Sequence, residues 1–179
     1  NEFGTGNKST PVNAYYKCYN EILSKAKAYD LDFDYIFLAT GTGMTQAGLL
    51  SGKLVSNGKE KIVGISVARK TEQETNVIYD YVKSFFKKKQ LNTNILKDDI
   101  CVVDEYIGKG YGKKSSIIDK AIYDMVVLNG IPLDPTYTGK AFLGMRDYII
   151  KNNISNKNVL FIHTGGTPLF FDNLRNVKW

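Results

Sequence analysis

Glycine and threonine residues follow directly after an apolar run in the first third of the chain. The run 35–40 is succeeded by Gly41, Thr42, Gly43 and Thr45, and a helical pattern comes next. A strand that ends in such a turn gathers bare backbone N–H groups and the positive end of the helix at one point, where they bind anions, usually phosphate. Glycine also lets the backbone approach closely because it has no Cβ. The segment predicts a phosphate site, with a plain strand-to-helix turn as the alternative.

The neighbouring residues distinguish between three patterns of phosphate binding. A dinucleotide site needs a glycine at the sixth position of the turn and an acidic residue after the next strand. Gln46 occupies that sixth position here, and the next apolar run, 62–67, is followed by Ala68 and Arg69. A P-loop needs a Gly-Lys-Ser/Thr sequence, and no such lysine follows Gly43. A small phosphate monoester, held mainly by the main chain, is the remaining interpretation.

Two later segments could complete the site. The apolar run 159–162 leads into His163, Thr164 and a pair of glycines, and the segment 133–141 places Tyr137 between two helical patterns. Loops at the carboxyl ends of parallel strands line a common crevice, so these segments are predicted to face one ligand. His163 is the only histidine, and no cluster of Cys, Asp or Glu accompanies it. We therefore interpret it as structural.

Taken in this order, the three segments closely resemble the D-cysteine desulfhydrase and 1-aminocyclopropane-1-carboxylate deaminase branch of the fold-type II pyridoxal phosphate (PLP) enzymes. The resemblance implies PLP as the cofactor and the large domain of that fold type, a three-layer α/β structure with helices on both faces of a parallel sheet. It also implies that Gly41, Thr42, Gly43 and Thr45 bind the cofactor phosphate. The hydroxyl of Thr164 would meet the pyridine nitrogen.

The same resemblance assigns catalytic roles to two tyrosines. Tyr137 would flank the cofactor ring or the substrate, and the segment 104–112 looks like the family's second tyrosine loop, with Tyr111 reaching the site. The residue after the key tyrosine is typically glutamate in the deaminase branch, whereas this chain has Thr138, as on the desulfhydrase side. The implied reaction converts D-cysteine to pyruvate, ammonia and sulfide by β-elimination. The deaminase reaction and a non-catalytic fragment that binds a phosphate ligand are the alternatives.

The family's Schiff-base lysine has no clear counterpart in this chain. Residues 6–8 read Gly-Asn-Lys, as in the family, but there the lysine lies much further upstream of the phosphate loop. The residues that follow predict a helix start, with Thr10 as the cap and Pro11 at the first helical position. The segment 15–18 fits the family's stretch before the phosphate strand better. We therefore expect residues 1–179 to be one α/β domain, the carboxyl-terminal part of a longer enzyme, inactive alone.

The hydrophobic pattern predicts helices and strands in alternation. Strands are expected at 34–40, 61–67, 100–105 and 158–163, with helices before and between them. Strands separated by helices indicate a parallel sheet that is covered on both faces.

Composition narrows the class of protein further. The 179 residues, 43% of them apolar, suffice for one hydrophobic core. No apolar run reaches the roughly 18 residues that span a membrane.

Cys18 and Cys101 lack metal-ligand spacing, so we expect reduced packing residues, no metal and a cytoplasmic location. The net charge of +6 is carried mostly by lysines spread over predicted helices, which does not favour a nucleic-acid partner. The expected partners are a small amino-acid substrate and, in the full-length form, a second copy in a homodimer.

Overall fold

A computed structural model describes residues 9–108, 110–113 and 115–174. The strands in this part of the chain are β1 Tyr35–Thr40, β2 Lys61–Ser66, β3 Cys101–Val103 and β4 Val159–Ile162. The helices are α1 Ser9–Ala28, α2 Met44–Ser56, α3 Thr71–Lys89, α4 Ser116–Asn129, α5 Thr138–Lys151 and α6 Thr167–Asn173, with short 3-10 turns at Lys97–Asp99 and Glu105–Ile107. None of these helices is long and apolar enough to cross a membrane.

The four strands form one parallel sheet in the order β3-β2-β1-β4. Tyr35, the first residue of β1, lies opposite Lys61 of β2 on one side and Val159 of β4 on the other. The chain therefore runs outward from β1 to β3 and then returns across the sheet to place β4 beside β1. In open parallel sheets, a ligand crevice forms where the strand order reverses in this way, at the carboxyl ends of the strands.

Alternate residues of β1 pack against helices on opposite faces of the sheet. Ile36 and Leu38 belong to the apolar core that includes residues of α1, α2 and α3. Phe37 and Ala39 pack in a second core with Ala141 of α5, and α4 and α6 join α5 in a third cluster. Such burial on both faces is typical of a parallel strand covered by helices. The predicted three-layer α/β fold is confirmed.

The start of α1 differs from the prediction. The helix begins at Ser9, so Thr10 lies inside it and the prediction that Thr10 caps it from outside is wrong. The first N–H groups of a helix have no partner within it. Proline, which lacks an N–H, is therefore tolerated at Pro11, the third helical position, two positions further into the first turn than expected.

The third strand is shorter than the predicted span of 100–105. Asp104 leaves the extended conformation, with φ −109° and ψ 5°. Its carboxylate accepts a hydrogen bond from the N–H of Thr71, the first residue of α3, at 2.8 Å. The chain is thereby drawn into the 3-10 turn that follows β3. The other predicted strands and helices are confirmed, with small differences at their ends.

Helices α1 and α2 approach each other closely because α2 presents two glycines to α1. A Cβ on Gly48 would lie 2.5 Å from the Tyr15 Cβ and 2.6 Å from the Val12 carbonyl oxygen. A Cβ on Gly52 would lie 2.5 Å from the ring of Tyr19. The backbone of α2 is therefore packed directly against the side chains of α1, which fixes the helix that begins at the glycine and threonine turn.

The substitution Gly48→Ala tests this close packing. Alanine is the better helix former by about 1 kcal/mol, but overpacking of a tight contact costs about 1–3 kcal/mol. We expect a net loss of about 1–2 kcal/mol in the free energy of unfolding, measured by urea denaturation of the full-length protein. Ser56→Ala, at the exposed end of α2, should change it by less than about 0.5 kcal/mol. A more stable Gly48→Ala protein would contradict the close contact.

Candidate functional site

A cavity of about 600 Å³ lies at the carboxyl ends of the strands. Its size is within the range of roughly 300–1,000 Å³ that is typical of small-molecule sites. Its walls come from α1, from the turns after β1, β2 and β4, from the start of α5 and from the segment around residue 111. The predicted site residues that line it are Gly41, Thr42, Thr45, Tyr111, Tyr137 and Thr164.

Gly43 is the one predicted site residue that does not line the cavity. It is buried as the N-cap of α2, with φ +82°, and no side chain caps the helix. A Cβ at this position would lie 3.0 Å from Ile78 and 3.3 Å from the Glu74 carboxylate of α3. Only glycine adopts this conformation without strain. The first N–H groups of α2 thus lie beside the cavity, and no side chain accepts their hydrogen bonds. They are therefore available to bind an anion.

The turn after β4 forms the opposite wall and is held by His163. The Nε2 of His163 is 2.8 Å from the Pro132 carbonyl oxygen, and its Nδ1 accepts a hydrogen bond from the N–H of Gly165 at 3.3 Å. The tautomer with its proton on Nε2 satisfies both contacts. His163 does not line the cavity, and its ring contacts main-chain groups, in agreement with the predicted structural role. Thr164, next along the chain, lines the cavity.

The two predicted tyrosines meet in the cavity. The hydroxyl groups of Tyr111 and Tyr137 are hydrogen-bonded, and their ring centroids are 5.8 Å apart at an angle of 74°. Burial, followed by the hydrogen bond to Tyr111 and nearby negative charge, raises the pKa of Tyr137 to about 12. The Tyr137 phenol is therefore protonated at neutral pH, and either hydroxyl of the pair can donate to the other.

A buried carboxylate shapes the turn that carries Tyr137. One oxygen of Asp134 accepts the N–H groups of Thr136 and Tyr137, both at 2.8 Å. The other accepts the Thr138 N–H at 2.9 Å and the Thr138 hydroxyl at 2.7 Å. Asp134 also packs against Gly166, where a Cβ would lie only 2.3 Å from a carboxylate oxygen. Thr138 is thus fully buried and turned to Asp134, and it does not line the cavity.

A buried lysine holds the loop that carries Tyr111. We refer to residues 105–108 and 110–113 as the Tyr111 loop. The Nζ of Lys140, on α5, donates to the carbonyl oxygens of Ile107 at 2.8 Å and Gly110 at 3.1 Å. Lys140 has no exposed surface, and this burial lowers its pKa. One helix therefore carries Tyr137 at its amino end and anchors the neighbouring tyrosine one turn later.

Five polar side chains that line or support the cavity were not among the predicted site residues. Tyr15 and Arg69 line it, whereas Glu74, Asp134 and Lys140 are buried behind it. An aspartate just ahead of a helix is a known start signal, so Asp134 could have been found. Glu74 and Lys140 lie on amphipathic helices, where charged residues are normally expected on the solvent face.

The residues present fit a cofactor that carries a phosphate group. A long helix starts beside the cavity without a side-chain cap, and the hydroxyls of Thr42, Thr45 and Thr164 belong to lining residues. No lysine is among the described residues that line the cavity. Lys8, which we did not expect to be the Schiff-base lysine, lies outside the described residues. Among the described residues, no group of three or more His, Cys, Asp or Glu side chains could hold a metal ion. Cys18 and Cys101 are free thiols.

The substitution Asp134→Asn tests how far this carboxylate determines the turn. An amide has one acceptor oxygen, so two of the four donors that face Asp134 lose their partner. We expect the free energy of unfolding to fall by about 2–4 kcal/mol in a urea titration. Asp124→Asn removes a carboxylate from the helical ion pair with Lys120 on α4 and should change it by less than about 0.5 kcal/mol. If both substitutions lowered the free energy of unfolding equally, Asp134 would not determine the structure of the turn.

Comparison with known proteins gives a consistent result. The family model of pyridoxal-phosphate dependent enzymes matches residues 4–165. The chain is 35% identical over 165 residues to a Pyrococcus abyssi protein named "Putative 1-aminocyclopropane-1-carboxylate deaminase", covering 91% of this chain and 49% of that protein. It is 30% identical over 167 residues to the D-cysteine desulfhydrase of Yersinia pestis, covering 93% of this chain and 50% of that enzyme. The chain thus spans about half the length of these relatives.

Solved structures agree. The crystal structure of a 1-aminocyclopropane-1-carboxylate deaminase homologue superposes with a TM-score of 0.83 and 30% identity, over 94% of this chain and 50% of that one. Threonine deaminase isoform 2 from Solanum lycopersicum, at 18% identity and a TM-score of 0.58 over 93% of this chain and 46% of that one, shares the fold. These neighbours confirm the fold type expected from the sequence, and the family's cofactor is PLP. The chain belongs to the family of pyridoxal phosphate-dependent enzymes.

Proposed function

We propose that the full-length protein is a PLP-dependent lyase of the D-cysteine desulfhydrase type, which releases sulfide, ammonia and pyruvate by β-elimination. The convergence of three features on one cavity carries this proposal. These are the glycine-capped start of α2, the Thr164 turn and the hydrogen-bonded pair of Tyr111 and Tyr137. All three come from the segments that resemble this branch of the family.

The chemistry of the walls suggests where each part of the cofactor lies. The first turn of α2, with Thr42 and Thr45, suits the phosphate group. Thr164, on the far wall, suits the pyridine nitrogen. When bound, PLP supplies an electron sink for bond cleavage at the substrate Cα and Cβ. A neutral hydroxyl holds the ring nitrogen in a protonated state less strongly than a carboxylate does, which favours elimination of a good leaving group over transamination.

The tyrosine pair supplies hydrogen-bond donors on the substrate side. With a pKa of about 12, Tyr137 stays protonated at neutral pH and is a weaker acid than an ordinary phenol, so its role is to orient a substrate group by hydrogen bonding. Tyr111 is about half exposed, with 53% of its surface accessible, and it supports the Tyr137 hydroxyl from the open side of the cavity. Substrate binding would cover this open side.

Position 138 supports elimination over ring opening. The hydroxyl of Thr138 is committed to Asp134, so the residue after Tyr137 offers the cavity neither a carboxylate nor a free hydroxyl. The deaminase branch typically has glutamate here. A glutamate at position 138 in this chain would set a second carboxylate against the buried Asp134 and remove the hydroxyl that now binds it. The contacts with Asp134 therefore favour threonine over glutamate at position 138.

The second candidate is 1-aminocyclopropane-1-carboxylate deaminase. The relatives from Pyrococcus abyssi and Pyrococcus furiosus are named "Putative 1-aminocyclopropane-1-carboxylate deaminase", at 35% and 33% identity, against 30% for the desulfhydrases. The same cavity and the same tyrosine pair would serve it. In either case we infer that the reactive lysine comes from a part of the protein outside the described cavity wall, and that the full-length form is a homodimer.

Substrate comparison decides between the two reactions. The full-length protein, loaded with PLP, should release ammonia from D-cysteine at least about tenfold faster than from 1-aminocyclopropane-1-carboxylate, a difference of about 1.4 kcal/mol in barrier height. D-cysteine should also release sulfide, in an amount equal to the ammonia. Faster turnover of the cyclopropane substrate would assign the deaminase reaction. No turnover of either would reject both.

Gly43→Ala tests the placement of the phosphate. A side chain at φ +82° is strained, and its Cβ would crowd Ile78 and Glu74, so the start of α2 must shift. We expect the affinity for PLP to fall by more than about tenfold, or about 1.4 kcal/mol, in an absorbance titration of the full-length protein. Gly130→Ala is the matched control, because this left-handed C-cap of α4, at φ +67°, has open space around it. Unchanged affinity in Gly43→Ala would place the phosphate elsewhere.

A further inference from the structure

The turn after β1 is supported from behind by one buried carboxylate. Glu74, in the first turn of α3, has no exposed surface. Its Oε1 accepts a hydrogen bond from the Thr40 hydroxyl at 3.0 Å, and its Oε2 lies 2.9 Å from a guanidinium nitrogen of Arg69. The same Arg69 nitrogen donates to the Gly41 carbonyl oxygen. Glu74 and Arg69 therefore contact two successive residues at the start of the proposed phosphate site.

The contact with Gly41 determines the orientation of a whole peptide group. A peptide is planar, so fixing the Gly41 carbonyl also fixes the N–H of Thr42, which points to the opposite side of the same plane. Gly41 itself gives little resistance to rotation of this peptide, because it has no Cβ. A reversed peptide would exchange a donor for an acceptor at the edge of the anion site. The bond from Arg69 selects one of these two orientations.

We propose that Glu74 and Arg69 are positioning residues, which hold the peptide between Gly41 and Thr42 in the orientation that binds the phosphate of the cofactor. The inference rests on the proposed function in taking PLP as the ligand. Arg69 is also the single charged residue among the described residues that line the cavity. Its charge is offset by Glu74, so orientation, and not net attraction, is its contribution.

Stability alone does not account for this ion pair. Glu74 is fully buried, so its loss of hydration offsets much of its attraction to Arg69, while the Arg69 side chain stays 31% exposed, where solvent screens the attraction. What the pair does provide is fixed geometry, because Glu74 connects the end of β1, the turn after β2 and the start of α3. A direct role of Arg69 in binding phosphate makes the opposite prediction when Glu74 loses its charge, since the guanidinium would then be freed for the anion.

The experiment uses Glu74→Gln and Arg69→Lys in the full-length protein. Glutamine keeps the shape of the side chain but has one acceptor oxygen, and lysine keeps the charge but not the planar fork of the guanidinium. We expect each variant to bind PLP about tenfold more weakly, and the double variant to be no weaker than the single ones, since both changes release the same peptide. The ³¹P resonance of the bound cofactor should shift in both variants.

Two control variants make the same chemical changes at exposed positions away from the turn after β1. Glu72→Gln removes an exposed carboxylate from the same helical turn, and Arg146→Lys changes an exposed arginine on α5. Both should bind PLP within about twofold of the wild type and leave the ³¹P resonance in place. Unchanged binding by Glu74→Gln would overturn the positioning role, and tighter binding would overturn it and assign Arg69 as a direct phosphate ligand.

A measurement without the cofactor keeps this proposal distinct from the proposed function. In cofactor-free protein, amide hydrogen exchange in the peptide covering 40–47 should be about tenfold faster in Glu74→Gln and unchanged in Glu72→Gln. Equal exchange in both variants would refute the positioning role. If the wild-type protein does not bind PLP, the proposed function is wrong, and the exchange rates still decide whether Glu74 and Arg69 order the turn.

Discussion

The parallel pairing of β4 with β1, on the side opposite to β2, is the constraint on which the site depends. It brings the turn after β1 and the turn after β4 to the same edge of the sheet. The crossover that returns the chain to β4 carries α4 and α5, and α5 delivers Tyr137 to that edge. Segments far apart in the sequence become opposite walls of one cavity because a single strand has different partners on its two sides.

Two buried carboxylates then determine the walls in detail. Asp134 accepts four donors from the turn before α5, and Glu74 binds Thr40 and Arg69 behind the turn after β1. A buried charge is tolerated only when its hydrogen bonds are made, so each carboxylate admits one arrangement of the surrounding backbone. Neither lines the cavity. The positions of the groups that line the cavity are thus fixed in part by groups that do not line it.

The sequence predicted those features whose signals are local. Glycine and threonine after an apolar run, and the alternation of helices with strands, predicted the parallel sheet and four of the residues that line the cavity, Gly41, Thr42, Thr45 and Thr164. What it did not predict depends on contacts between distant segments. Glu74 is 34 residues from Thr40, and Lys140 is 33 residues from Ile107. On a helix each resembles an ordinary surface charge, because nothing nearby in the sequence shows what will cover it.

The anchoring of the Tyr111 loop by Lys140 has an evolutionary consequence. The ammonium group binds carbonyl oxygens of the main chain, which every residue type possesses. Side chains in that loop can therefore be exchanged without loss of the anchor, provided that the backbone follows the same path. A lineage could alter the shape and polarity of the cavity entrance by substitutions in this loop while α5 and its buried lysine stay the same. In this architecture, the cavity entrance can diversify independently of the supporting frame.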